Sequence, residues 1–328
     1  MQGYPFINSL ISLTERLFRQ LHSQKKIMKY KALLFIIGAG LTLSACKKNE
    51  NPVIEEEPLV AENPATFTEV ASLTLGTTGA AEISAYDPST KKLFVVNNAV
   101  GSKVDVIDFS KFPTISKAQS LDFSATSGVA NSVAVYDGKL AVALEATVKT
   151  DDGAIAILNT NSLTEIKRVT VGALPDMVTF SPDGNYIISA NEGEPNADYT
   201  IDPVGSVSVI DVKNNYSVKT LNFSGFENAK ATLLAGGFRV YGKNATLAQD
   251  VEPEYVTVSA DSKKAWVTLQ ENNGIAEIDL VAGTILRVLP LGTKDISLAA
   301  NAFDVSDRDD KTELGTWPVK AFYLPDAI

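Results

Sequence analysis

Residues 176–192 read DMVTFSPDGNYIISANE, and residues 205–212 read GSVSVIDV. The first stretch contains two short apolar strands separated by a Ser-Pro-Asp-Gly turn, and it ends on Asn-Glu. The second stretch alternates polar and apolar residues, and a further strand, SVKTLNF, follows at residues 217–223. Short alternating runs bounded by turn residues indicate β-strands. This part of the chain therefore predicts one antiparallel sheet of four short strands.

The same pattern occurs four times. Its copies start at Glu82, Asn131, Asp176 and Glu254. They are spaced by roughly 45 residues, apart from an insertion in the last interval, and four-stranded units of that length are typical of propeller blades. A blade alone would expose an apolar face, so neighbouring blades must stack. We predict an all-β fold, a β-propeller over residues 65–328, with Trp266 of a second strand in its core.

The last residues of the chain repeat the entry to a blade. Leu324-Pro325-Asp326 copies Leu174-Pro175-Asp176, which leads into the third copy of the pattern. About four blades are thus present of an expected seven. The sequence predicts an incomplete ring and a truncated fragment of a longer protein.

Three stretches resemble a known family. They are residues 172–211, residues 248–279 (AQDVEPEYVTVSADSKKAWVTLQENNGIAEID) and the tail at 303–328 (FDVSDRDDKTELGTWPVKAFYLPDAI). The repeat is similar to YVTN-type propeller repeats, and the stretches resemble the bacterial choice-of-anchor I domain family over about residues 66–328. The resemblance implies a secreted or surface β-propeller whose relatives use varied cell-envelope anchors. It implies no established activity.

The N-terminal region predicts export and lipidation. Lysines precede an apolar run at residues 32–43, which has the length of a signal-peptide core and is short for a membrane span. Residues 43–46, Leu-Ser-Ala-Cys, resemble the lipobox of bacterial lipoproteins, in which the Cys is acylated and becomes the first residue. We predict a signal region at 1–45, with Met28 as an alternative start, lipidation of Cys46, and a flexible tether at 46–64. The alternative is an ordinary secretory signal with a buried Cys.

The predicted location is the cell envelope. Lys47 stands where an Asp typically retains such lipoproteins at the inner membrane, so we expect an outer-membrane lipoprotein, periplasmic or surface-exposed. Its membrane contact would be the lipid anchor, because an acyl chain tethers a soluble domain without a spanning helix. A ligand in the envelope or outside the cell is the expected partner.

Charge and residue counts exclude several functions. The formal net charge is −10, and an acidic surface repels phosphate backbones, so nucleic acid is not an expected partner. Cys46 is the single Cys and His22 the single His, and both precede the predicted folded region. Disulfides, His-based catalytic triads and His metal sites are therefore excluded there. No G-x-S-x-G nucleophile motif occurs either.

Acidic residues fall at equivalent positions of successive blades. In an up-and-down blade, the start of the first strand and the end of the second lie on the same side. Starts of first strands carry the rim carboxylates Glu82, Asp176, Glu254 and Asp326, and ends of second strands carry Glu145, Glu192 and Glu271. Insertions at 193–204, 224–251 and 293–325 are predicted on that same face. We expect these acids to gather near the mouth of a central channel.

A group of carboxylates without nitrogen ligands suits Ca²⁺, which prefers oxygen ligands in irregular geometry. The candidate Ca²⁺ ligands are Glu145, Glu192, Glu194, Asp198, Glu271, Asp304 and Asp307. Two alternatives remain open: solvated charges that keep an acidic protein soluble, and catalytic carboxylates.

Three functions are compatible with these features. The first is a surface-tethered binding or scaffold module that uses its insertion-bearing acidic face, with no assigned reaction and no catalytic residue. The second is a Ca²⁺-assisted phosphoester or ester hydrolase in the full-length form, with metal-bound water as the nucleophile. The third is a truncated fragment without function.

Overall fold

The computed structural model describes residues 64–328 of the chain. Residues 1–63 contain the predicted signal region, the lipobox with Cys46 and nearly all of the predicted tether, and these predictions lie outside the described residues. Pro64–Thr66 forms a short 3-10 turn. Residues 68–328 form the unit that contains the strands.

Four four-stranded antiparallel sheets, blades 1 to 4, follow one another along the chain, and each pairs its strands in sequence order. Blade 1 contains β1 (Ala80–Asp87), β2 (Lys92–Asn97), β3 (Lys103–Lys111) and β4 (Thr114–Asp122). Blade 2 contains β5 (Ala130–Tyr136), β6 (Lys139–Leu144), β7 (Asp152–Asn159) and β8 (Glu165–Ala173). Blade 3 contains β9 (Pro175–Phe180), β10 (Tyr186–Asn191), β11 (Ser206–Asp211) and β12 (Ser217–Asn222). Blade 4 contains β13 (Val256–Val258), β14 (Lys264–Leu269), β15 (Gly274–Asp279) and β16 (Thr284–Pro290).

The connections between strands contain the remaining elements. Between blades 3 and 4 lie a 3-10 helix (Ser224–Ala229), α1 (Lys230–Ala235) and α2 (Leu247–Asp250). After blade 4, β17 (Lys294–Asp295) pairs with β18 (Lys320–Ala321), and a 3-10 turn (Ala299–Asn301) lies between them.

The core consists of apolar layers between neighbouring blades. On β6, Leu140 and Val142 pack towards blade 1, whereas Ala141 and Ala143 pack towards blade 3. Successive side chains of a strand point to opposite faces, so one short strand supplies both layers. A third layer joins blades 3 and 4 and includes Phe238 from the connection between them. Each middle blade is therefore buried on both faces.

The inner strands of the blades lie side by side. Strand β1 contacts β5, β5 contacts β9, and β9 contacts β13. Within residues 64–328, no comparable contact joins β13 to β1, so these blades form an open arc. The predicted all-β propeller architecture with four four-stranded blades is confirmed, while the total of seven blades stays a prediction.

The prediction of a core position for Trp266 was wrong. Its neighbours on β14, Ala265 and Val267, are fully buried in the layer between blades 3 and 4. The two-residue period of the strand directs Trp266 to the opposite face, where it is half-buried. Apolar character alone did not reveal which face of the strand has a neighbour.

Tight turns reverse the chain between first and second strands. In blade 1, both side-chain oxygens of Asp87 accept hydrogen bonds, from Ser89 and Thr90. Burial alone would raise the pKa of Asp87, but the neighbouring polar groups of Thr160, Ser89 and Thr90 lower it to about 2. A charged Asp therefore acts as a structural turn residue on the side opposite the insertions.

Gly184 lies in the corresponding turn of blade 3, where it meets blade 2. Its φ is +67°, and a Cβ added there would lie 2.0 Å from Cε1 of Tyr136. The Tyr136 ring stacks on Phe180 with centroids 5.8 Å apart, so displacing it would disturb this contact. The position requires glycine both for its backbone angle and for this close approach.

We expect Gly184→Ala to lower the free energy of unfolding by about 2 kcal/mol or more, because a strained backbone and overpacking act together. Urea denaturation followed by circular dichroism measures the loss. Gly225→Ala is the matched control: Gly225 is exposed, and its added Cβ would meet no atom within 4 Å. The control should stay within about 0.5 kcal/mol of the wild type. Equal effects of the two substitutions would contradict this account of the contact between blades 2 and 3.

Candidate functional site

A central cavity of about 580 Å³ lies along the inner strands. Parts of β1, β5 and β9 line it, together with Tyr255 and Ala327. Glu82, Asp176, Glu254 and Asp326 also line it, so all four predicted rim carboxylates border one cavity. Glu82 and Asp326 are exposed, whereas Asp176 and Glu254 are half-buried. The starts of the first strands thus place four carboxylates, which we call the rim, around this cavity on the inner side of the open arc. We refer to the cavity as the central channel.

Three carboxylates converge at the rim. One oxygen each from Asp176, Glu192 and Glu254 lies within 4.8 Å of the other two. Asp176 lies on β9, and Glu192 follows β10, where its backbone N–H donates to the carbonyl of Leu174. Glu254 precedes β13 and donates its N–H to the carbonyl of Thr268. These backbone hydrogen bonds fix Glu192 within blade 3 and Glu254 within blade 4.

Burial and mutual repulsion raise the pKa of each acid in this cluster. Burial, followed by the charges of Asp176 and Glu254, raises the pKa of Glu192 to about 9. Burial, followed by the charges of Glu271 and Asp176, raises the pKa of Glu254 to about 7. Burial is also the main cause of the raised pKa of Asp176. Each acid of the cluster is therefore harder to ionise than a solvated carboxylate.

One lysine partly compensates the charge beside the cluster. Lys149 Nζ forms an ion pair with the carboxylate of Glu194. Burial lowers the pKa of Lys149, but Glu194, Glu192 and Glu145 outweigh that effect and raise it. Burial raises the pKa of Glu145, and Lys149 opposes the rise. Residues from insertions in blades 2 and 3 therefore meet at the rim.

The other predicted Ca²⁺ ligands lie in different surroundings. Oε2 of Glu271 is shielded from solvent and has no hydrogen-bond partner in the described part of the chain. Asp198 is exposed and accepts a hydrogen bond from Thr200 Oγ1. Asp304 accepts from the N–H of Ser306, and the Asp307 side chain is 97% exposed. Within residues 64–328, these acids belong to no group of three with ligand atoms as close as those of the rim cluster.

Sequence reasoning did not identify Glu252 as a site residue. Its side chain is 8% exposed and accepts a hydrogen bond from Tyr241 Oη. Burial raises the pKa of Glu252 to about 7, and the charges of Glu271 and Glu194 add to this, against the hydrogen bond from Tyr241. The alternation Asp250-Val-Glu252-Pro-Glu254 was the available signal, because every second residue of an extended segment shares a face.

The fold and the rim define a propeller with an acidic, insertion-bearing face. A family model described as choice-of-anchor I domain matches residues 82–328. The chain belongs to this family. Membership indicates a cell-surface protein and supports a binding or scaffold module. Among residues 64–328, no helix is both long and apolar enough to cross a bilayer.

Several solved structures are similar to the chain at low sequence identity. Hydrazine synthase from Kuenenia stuttgartiensis is 13% identical with a TM-score of 0.43, over 64% of this chain and 74% of that chain. A functionally unknown protein from Desulfotomaculum acetoxidans is 11% identical with a TM-score of 0.43, over 64% and 56%. The Cps50 (Swd1) β-propeller domain from Myceliophteria thermophila is 10% identical with a TM-score of 0.44, over 73% and 70%. No curated protein matches the chain.

The raised pKa values predict that the protein loses stability as the pH increases. The folded state holds protons on Glu192 and Glu254 above the ordinary value of 4.5, so it binds more protons than the unfolded chain. The free energy of unfolding should therefore fall from about pH 5 through 7 and towards 9, measured by urea denaturation without divalent cations.

Glu192→Gln keeps the neutral form at every pH, so it should flatten this fall. At pH 8.5 the variant should unfold at a Tm higher by roughly 2–4 °C, equivalent to about 1 kcal/mol. Asp307→Asn, at a fully solvated carboxylate, should leave the slope unchanged. If the free energy of unfolding falls with pH equally steeply in Glu192→Gln and in the wild type, the raised pKa of Glu192 is not the cause of the fall.

Proposed function

We propose that this chain is a surface-tethered lipoprotein β-propeller whose acidic, insertion-bearing face binds cationic ligands, with Ca²⁺ as the candidate cofactor. The observation that carries the proposal is the convergence of Asp176, Glu192 and Glu254 at the rim of the central channel. Family membership supports the attachment of this module to the cell envelope. No reaction is assigned to it.

The electrostatics of the rim favour a cation. Carboxylates this close must be protonated, paired with a base or neutralised by a bound cation. The neighbouring charges that raise the pKa of Asp176, Glu192 and Glu254 are all carboxylates. A cation at this point would replace protons and relieve the repulsion among the three acids.

The available donor atoms favour Ca²⁺ over transition metals. The described residues contain no His and no Cys, so the rim offers oxygen ligands. Calcium accepts six to eight oxygens in flexible geometry and uses carboxylates, backbone carbonyls and water. Three convergent acids supply part of such a shell.

The calcium proposal predicts stabilisation by the metal. At pH 7.5, Ca²⁺ at about 100 times its Kd should raise the free energy of unfolding by about 2.7 kcal/mol, because it binds the folded state. Differential scanning calorimetry of the full chain, with matched NaCl in place of CaCl₂, measures the shift in Tm. Asp176→Asn and Glu192→Gln should each abolish most of it.

Asp307→Asn is the matched control for the calcium experiment, since it also removes one carboxylate but lies away from the rim cluster. It should retain the full Ca²⁺ response. An equal loss in all three variants would identify nonspecific charge screening and contradict the rim site. The alternative hypothesis, a Ca²⁺-assisted hydrolase, predicts that the Ca²⁺-loaded protein releases phosphate from phosphoesters and that Glu192→Gln abolishes this release. That result would favour the hydrolase over the binding module.

The tethering proposal is tested at the lipobox. Expressed in a Gram-negative host, the chain should incorporate radiolabelled palmitate and partition with outer membranes, because an acylated N-terminal Cys anchors a soluble domain. Cys46→Ser should remove the label and release the protein from the membrane fraction. Ser44→Ala, which keeps a small residue in the same motif, is the control and should remain labelled. Palmitate in Cys46→Ser would exclude this anchor.

A further inference from the structure

A second cavity lies on the insertion-bearing face. Its volume is about 420 Å³, within the range of roughly 300–1,000 Å³ that is typical of small-molecule pockets. Its lining includes three carboxylates and two tyrosines. They are Glu194, Glu252, Glu271, Tyr199 and Tyr241. We refer to this cavity as the tyrosine pocket.

Buried polar contacts fix one wall of the tyrosine pocket. Asn272 is fully buried, and its Nδ2 donates to the carbonyls of Arg239 and Asp250 and to Oδ2 of Asp250. Its Oδ1 accepts from the N–H of Glu252. The Asp250 carboxylate in turn accepts from the N–H of Tyr241. Tyr241 and Glu252 are therefore held on blade 4 by a shared hydrogen-bond network, which is rigid when fully satisfied.

The side chains on this wall are oriented towards each other. Tyr241 Oη donates to Oε2 of Glu252 at 2.5 Å. The guanidinium of Arg239 lies 5.4 Å from the centroid of the Tyr241 ring, and it also lies 5.4 Å from that of Phe322. Tyr241 thus already contacts one cation through its ring, outside the pocket lining.

The opposite wall is a closed loop that presents Tyr199. Oδ1 of Asn196 accepts from the N–H groups of Thr200 and Ile201, and the N–H of Tyr199 donates to the carbonyl of Asn196. The Tyr199 side chain remains 63% exposed at the pocket. A ligand would bury this ring without rebuilding the loop.

The charges in the tyrosine pocket suit a cation larger than a metal ion. No basic side chain is among the lining residues, although Lys149 pairs with Glu194 from outside. Glu271 contributes a shielded Oε2 that has no hydrogen-bond partner within residues 64–328. The three carboxylates of the tyrosine pocket do not form a group with ligand atoms within 4.8 Å of one another, unlike those of the rim cluster. They surround a volume instead of converging on a point.

We propose that the tyrosine pocket binds an organic ammonium group, either the side-chain ammonium of a lysine or a quaternary ammonium. Tyrosine rings attract such cations through their faces, and carboxylates at the periphery neutralise the charge. The pocket extends the proposed cation-binding function to a second ligand class, at residues separate from Asp176, Glu192 and Glu254. A negative binding result at one site therefore does not exclude binding at the other.

Isothermal titration of the full chain at pH 8 and constant ionic strength tests the pocket with two probes. Tetramethylammonium chloride represents a quaternary ammonium, and Nα-acetyl-lysine amide represents a lysine side chain. Saturable binding of at least one probe is expected, and the stronger one identifies the source of the ligand. Uncharged tert-butanol, of similar size to tetramethylammonium, should not bind. Failure of both ammonium probes to saturate, or equal binding of tert-butanol, would overturn the proposal.

Substitutions separate this pocket from the channel rim. Tyr199→Leu keeps apolar bulk but removes the π-face, and it should weaken ammonium binding by about three- to tenfold. Glu271→Gln should weaken it as well, while the melting curve of Tyr199→Leu stays that of the wild type because the ring is exposed. Tyr323→Leu is the matched control: Tyr323 is 55% exposed and outside the pocket lining, so affinity should not change.

The reciprocal comparison completes the test. Asp176→Asn should retain ammonium affinity within about twofold, since it lies outside the tyrosine pocket, and Tyr199→Leu should retain the full Ca²⁺ response. If Asp176→Asn abolishes ammonium binding and Tyr199→Leu does not, the ammonium binds at the channel rim and the tyrosine pocket is excluded. A wild-type protein that binds ammonium but shows no Ca²⁺ response would contradict the rim site and leave the tyrosine pocket unaffected.

Discussion

The packing of each blade against its neighbours is the constraint on which the structure depends. A four-stranded sheet has two faces, and the strands of the middle blades bury both of them. Alternating side chains of β6 and β10 therefore reach two different cores. Because each layer belongs to two blades, the stability of one blade depends on the next, as in other repeat architectures. The close approach of Gly184 in blade 3 to Tyr136 in blade 2 is one example of this packing between neighbouring blades.

The same up-and-down order accounts for the acidic face. Connections from second to third strands and from fourth to first strands emerge on one side, so insertions can lengthen there without disturbing the cores. The connection between blades 3 and 4 is itself anchored, because Phe238 and Leu247 enter the apolar layer while Asn272 binds the backbone around Asp250. The hydrophobic layers stabilise a face on which carboxylates are brought closer than their charges favour. Such an arrangement raises the pKa values of the acids, and perturbed pKa values of this kind are concentrated at functional sites.

Sequence patterns predicted the fold far better than the detailed membership of the site. Period-two alternation and Asp-containing turns were sufficient for the strands, since both are local properties of the chain. Glu82, Asp176, Glu254 and Asp326, which the rule for strand ends had singled out, all line one cavity. Trp266 was misassigned and Glu252 was missed for one reason, which is that the neighbours of a side chain belong to another blade or to an insertion. Asp304 and Asp307 were also candidate Ca²⁺ ligands, but they are not part of the group formed by Asp176, Glu192 and Glu254.

The sequence by itself determined the blade, its repetition and the family, because each depends on residues close together in the chain. The N-terminal anchor, read from the same kind of local pattern, stays a prediction. The tertiary structure alone decided which acids converge. Asp176, Glu192 and Glu254 come from two blades and meet through the packing of one sheet on another. The tertiary structure also brings Tyr199 and Tyr241, from separate insertions, to one pocket. Distances between blades follow from how side chains fill the layers between them, and no local pattern in the chain encodes those distances.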